Sequence, residues 1–77
     1  MAGRTPVYLY TQSQHDLIMK RIEQIQADQP ILIKSHRCLE ALAKSIFETY
    51  GTRMTCRFIE LGPVWWTLRI ERGGPDL

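Results

Sequence analysis

The sequence predicts an α+β fold, a two-layer βαβαββ sandwich in which two helices cover one face of a four-stranded mixed sheet. Three observations carry this reading. Leu17, Ile18, Ile22 and Ile25, and then Leu39, Leu42, Ala43, Ile46, Phe47 and Tyr50, recur at helical spacing. Residues 53–61 and 64–72 alternate apolar and polar side chains on either side of Gly62-Pro63, the pattern of a hairpin. Both helical stripes need an apolar sheet face to cover, and placing them on one side leaves the other side of the sheet open.

Taken in order, Val7-Tyr8-Leu9-Tyr10 is aromatic and β-branched, with Pro6 at its start where a missing ladder donor is tolerated, and it reads as the first strand. Ser13 is placed to cap the first helix, with Asp16 three residues on completing a capping box, and that helix is expected to end near Ala27. Ile31-Leu32-Ile33 follows Pro30 as a second strand. Ser35 is expected to cap the second helix, and Gly51 to stop it in the left-handed conformation. In the last strand Val64, Trp66, Leu68 and Ile70 alternate with Trp65, Thr67, Arg69 and Glu71. The first set is expected to face the helices, together with Met54, Cys56 and Phe58.

A chain of 77 residues has room for one core, so residues 1–77 form a single domain, with an ordered part at about 5–73 and a frayed tail at 74–77. The net charge of +2 and pI near 8.7 are too mild to mark a nucleic-acid protein by composition, and they argue against a polyanionic DNA mimic. Cys38 and Cys56 fall in a predicted helix and a predicted strand and are expected as free thiols in a reducing cytoplasm. No apolar run approaches the roughly 18 residues of a membrane span, and no signal core follows Met1, so a soluble cytoplasmic protein without membrane contact is expected.

The open sheet face is expected to gather Arg57, Ile59, Trp65, Thr67 and Arg69, with Lys34, Leu32 and either Tyr8 or Tyr10. Tryptophan and arginine are enriched at binding hot spots, which makes this face the candidate binding site. The plain alternative is cross-strand packing, with Trp65 lying over Arg57 or Ile59 to stabilise the hairpin. Single-stranded nucleic acid would stack on Trp65 with phosphates at Arg57, Arg69 and Lys34, although Glu60 and Glu71 dilute the positive field. A protein partner, or a second copy in a homodimer, would bury the same residues as an interface core, and an exposed edge strand offers a further route.

No catalytic or metal constellation stands out. His15, His36, Cys38 and Cys56 are zinc-type donors but lack the close pairs of structural sites, and His15 and His36 are expected in solvated first helical turns. A Cys38 nucleophile paired with His15 or His36 is not demonstrated by spacing, Asp16, Glu23, Glu40 and Glu48 fall on polar helix sides, and no Gly-rich phosphate loop is present. No cofactor is expected.

The order of elements over residues 7–73, Gly62 beside a proline, and the alternating run ending at Arg72-Gly73 resemble the SirA/TusA family of small sulfur-carrier proteins. The resemblance implies the βαβαββ fold. That family carries a Cys-Pro-x-Pro motif where this chain has Thr11-Gln12-Ser13-Gln14, so a persulfide-carrying thiol would have to be supplied elsewhere, with Cys38 as the candidate. The functional expectation is therefore a small non-enzymatic protein-binding module, suited by analogy to a phage-type inhibitor such as an anti-CRISPR protein. A nucleic-acid-binding domain and a degenerate sulfur carrier are the alternatives.

Overall fold

The computed structural model describes residues 5–26 and 29–73. Its elements run β1 (Val7–Leu9), α1 (His15–Glu23), β2 (Ile31–Ser35), α2 (Glu40–Tyr50), β3 (Met54–Leu61) and β4 (Trp66–Arg72), with short 3-10 turns at Gln12–Gln14 and Gly51–Arg53. The four strands form one mixed sheet in the order β1-β2-β4-β3, so the domain is the α+β architecture expected. β1 runs parallel to β2, and β4 pairs antiparallel with both β2 and β3.

Pairing register sets the core. Ile31 lies opposite Ile70 and Ile33 opposite Leu68, while Cys56 and Phe58 flank the same two β4 residues from the other side. Period-two alternation puts these side chains on one face, where they meet Ile18 and Ile22 of α1, Ile25 just past its end, Leu39 at the N-cap of α2, and Leu42 and Ile46 within α2. Ile33, Leu68, Ile70, Ile22 and Ile46 are completely buried. Arg72, at the end of β4, donates to the carbonyls of Glu23 and Ile25, which satisfies acceptors left open where α1 stops and ties the helix end to the sheet.

Several local expectations are corrected. Ser13 lies within the 3-10 turn, where its hydroxyl meets Thr11 Oγ1 at 3.2 Å, and Gln14 occupies the N-cap position of α1 with no side-chain cap, so the Ser13/Asp16 capping box does not form. The helix ends at Glu23 rather than near Ala27, which lies outside the described residues. Ser35 is the buried last residue of β2, not a helix cap: its Oγ accepts the Arg37 N–H, and α2 begins at Glu40 behind Leu39. Gly51 takes the positive φ expected (+61°), but its ψ of −131° leaves the left-handed helical basin. Leu17 and Phe47 sit one residue, about 100°, off their stripes and are exposed.

Two corrections reach the open face. The Gly62 N–H donates to the Trp65 carbonyl, so the turn consumes Val64 and Trp65 and β4 starts only at Trp66. Val64 is therefore 65% exposed instead of facing the helices. Neither Tyr8 nor Tyr10 faces outward. Residues two apart in a strand share a side, Tyr8 lies opposite the buried Ile33, and both tyrosines pack against the core, so Val7 and Leu9 occupy the open face instead.

Burial separates two substitutions that look alike in the sequence. Ile33→Ala is expected to cost about 2–5 kcal/mol, enough to unfold much of a domain this small, whereas Phe47→Ala, on a side chain 65% exposed, is expected to stay within about 0.5 kcal/mol. Urea denaturation followed by circular dichroism measures both.

Candidate functional site

Cross-strand register arranges the open face in two rows. One runs Val7, Leu32, Arg69, Arg57, and the next runs Leu9, Lys34, Thr67, Glu60. A register shift between Phe58 and Glu60 makes Ile59 the unpaired residue of a β-bulge, exposed between Arg57 and Glu60, and this shift is what sets Glu60 against Thr67. Lys34, Thr67, Arg69 and Arg57 are thus neighbours on one surface, as the alternation predicts. No helix covers this surface, yet Thr67 is 4% exposed because its row neighbours close over it.

Charge on the face is partly neutralised from within. Lys34 Nζ is 3.6 Å from Glu60 Oε1, the Thr67 hydroxyl donates to the same carboxylate oxygen, and Arg69 pairs with Glu71. Arg57 lies directly opposite Arg69, an unfavourable juxtaposition of like charges, and among the described residues it has no ion-pair partner.

Trp65 has a different role from the one its alternation suggests. It belongs to the turn before β4, its ring stacks on His36 with centroids 3.8 Å apart and planes 29° apart, and Lys34 Nζ stands 4.8 Å from the ring centre. His36 Nδ1–H donates to the Val64 carbonyl at 2.9 Å, which anchors the imidazole to the same turn. The indole therefore packs on Lys34 and His36, not over Arg57 or Ile59. Sequence reasoning missed His36 and Glu60. His36 was expected in a helix and lies in the β2–α2 connection, and only the bulge turns Glu60 toward Lys34.

A second feature lies where the parallel strands β1 and β2 end. A cleft of about 220 Å³ is lined by Tyr10, Thr11 and Gln12 after β1, by Ser35 at the end of β2 with Arg37 and Cys38 beyond it, and by Ala41 and Leu42 on α2. The Tyr10 hydroxyl shares a 2.7 Å hydrogen bond with Nδ1 of His15, which is half-buried rather than solvated, and burial raises the phenol's pKa. With His15 engaged by Tyr10 and His36 by Val64, each imidazole has a partner other than Cys38. Among the described residues no three His, Cys, Asp or Glu side chains converge on a possible metal position. No helix among them is long and apolar enough to cross a membrane.

The Lys34–Trp65 contact should appear in a double-mutant cycle of Lys34→Met and Trp65→Ala as a coupling of about 0.5–1 kcal/mol, read from urea denaturation. The two thiols should also separate. Cys38 is exposed, whereas burial pushes the Cys56 thiol up to about 11, so a thiol reagent at neutral pH should modify Cys38 rapidly and Cys56 slowly, as intact-mass measurements would follow. Because the Cys56 thiol ionises first in the unfolded chain, its contribution to stability is intact below the unfolded pKa and is lost as pH rises from about 9 to about 11.

The sequence matches no protein-family model, and no curated protein and no solved structure is detectably similar to it.

Proposed function

We propose that this chain is a non-enzymatic binding domain that uses the helix-free face of its sheet to hold a protein surface presenting a carboxylate. The observation that carries the reading is the Arg57–Arg69 juxtaposition: two like charges are held opposite each other, and of the two only Arg69 has a carboxylate partner among the described residues. An acidic group on a partner would relieve that repulsion, flanked by the apolar Val7, Leu9, Leu32 and Ile59 on and beside the same surface. Trp65, stacked between the ends of β2 and β4, stiffens the edge of the site, while Lys34 and Thr67 are tied to Glu60. Nucleic acid is the less favoured ligand for this face, because Glu60 and Glu71 cancel the charge of Lys34 and Arg69 where phosphates would need it. An occluding inhibitor of a larger assembly, such as an anti-CRISPR protein, is one role such a binder could fill, and it rests on analogy with other small binders.

One observation favours a second reading. Cys38 lines the same cleft as Thr11, the position at which the sulfur carriers this chain resembles bear their cysteine, so a displaced thiol there could serve a SirA/TusA-like transfer. Loss of biological activity in Cys38→Ser, with the fold intact, would select that reading.

Affinity capture from cell extract tests the main proposal. A protein retained by the wild-type chain should survive nuclease treatment and be lost from Arg57→Glu and Ile59→Lys, both exposed positions where the fold should tolerate the change. Capture that disappears with nuclease would instead identify a nucleic-acid ligand, and capture indifferent to both substitutions would remove this face from consideration.

A further inference from the structure

We propose that the outer edge of β1 is a self-association surface, on which two copies of this chain pair antiparallel to form one continuous eight-stranded sheet. Backbone hydrogen bonds locate the free edge. Tyr10 N–H donates to the Lys34 carbonyl and Pro6 accepts from Leu32 N–H, so residues 6, 8 and 10 direct their backbone groups toward β2. By alternation the N–H and C=O groups of Val7 and Leu9 point away from the sheet, and among the described residues no strand lies beyond them. Pro6, which often guards an edge, has its missing N–H on the β2 side and leaves the outer side unprotected.

The two edges of the sheet differ in a way that bears on what they accept. β3 carries a bulge and the charged Arg57 and Glu60, both devices that discourage strand addition. β1 has neither. Its residues Val7, Tyr8 and Leu9 are uncharged, Val7 and Leu9 are 51% and 59% exposed, and beside them lies a groove of about 330 Å³ lined by Tyr8, Leu17, Ile18 and Arg21.

A second copy fits this edge because the edge is self-complementary. A twofold axis through Tyr8 sets Val7 opposite Leu9 of the other copy, and Leu9 opposite its Val7. Each of these two pairs can exchange both N–H···O bonds, giving four in all, and each brings an apolar side chain against another on the open face. No charged residue lies in the paired strand segment itself, and Arg21, whose guanidinium stands 5.5 Å from the Tyr8 ring centre, flanks the axis on the helix side, a like-charge contact that limits the affinity. The pairing goes beyond the binding reading above, which it neither needs nor excludes, and would set two Arg57–Arg69 patches on one extended face. Because only the three residues of β1 pair in each copy, the interface is small, and a weak dimer with a dissociation constant on the order of 100 µM is expected.

Sedimentation velocity across a concentration series tests this with the full chain. Wild type should shift from monomer to dimer, and Leu9→Lys should weaken association at least about tenfold while circular dichroism stays unchanged. Arg57→Glu and Ile59→Lys, which alter the open face away from this edge, should leave it intact. Amide exchange by NMR supplies an independent readout without substitution: Val7 and Leu9 amides should become protected as concentration rises, while Tyr8 and Tyr10 are protected throughout. A chain that remains monomeric to about 1 mM, or a dimer unaffected by Leu9→Lys, or one lost with Ile59→Lys, would overturn the proposal.

Discussion

The antiparallel pairing of β2 with β4 is the constraint on which the rest of this domain depends. These are the two inner strands of the sheet, and their register alone places Ile31 against Ile70 and Ile33 against Leu68 beneath both helices. A shift of β2 by one residue would carry Ile31 and Ile33 to the uncovered face and bring Leu32 and Lys34 under the helices, burying the lysine's charge without compensation. With only two helices and one sheet face to form a core, any odd-numbered slip leaves apolar residues of the slipped strand uncovered. β1 and β3 then add to edges that β2 and β4 have already oriented.

The same register composes the other face. Because Lys34 must lie opposite Thr67 and Leu32 opposite Arg69 once the core is aligned, the polar residues of the inner strands form ordered rows with β3. The bulge at Ile59 then converts what regular alternation would have made into something different. It turns Glu60 toward Lys34 and Thr67, and a polar cluster closes over a threonine on a surface that no helix covers. The repulsion between Arg57 and Arg69 is relieved on one side only, by Glu71. Internal neutralisation and a residual positive charge therefore coexist in adjacent rows of one face.

Open face and free edge meet at Val7 and Leu9. Their side chains belong to the rows that carry the arginines, and their backbone groups belong to the outer ladder of β1. A strand added there would lengthen the candidate binding surface, not compete for it. The cleft at the ends of β1 and β2 gathers Tyr10, Thr11 and Cys38 from connections distant in sequence.

The sequence by itself determined the number and order of elements, the strand alternation that buries Met54, Leu68 and Ile70, and the grouping of Lys34, Arg57, Thr67 and Arg69 on one surface, because a two-residue period leaves each side chain only two directions. What it could not show depended on interactions between segments far apart in the chain. Ser35 reads as a helix cap until its place opposite Trp66 in the sheet claims it for a strand. Phe47 and Val64 read as core until the direction of α2 and the length of the Gly62-Pro63 turn expose them. Tyr8 and Tyr10 had to share a side, but only pairing with β2 decided which one. Trp65 acquired its role from His36 and Lys34, and Glu60 from a single extra residue at the bulge. These are outcomes of register and turn length, which the tertiary structure decides because only the packed sheet shows which alternative keeps the core dry and the polar groups paired.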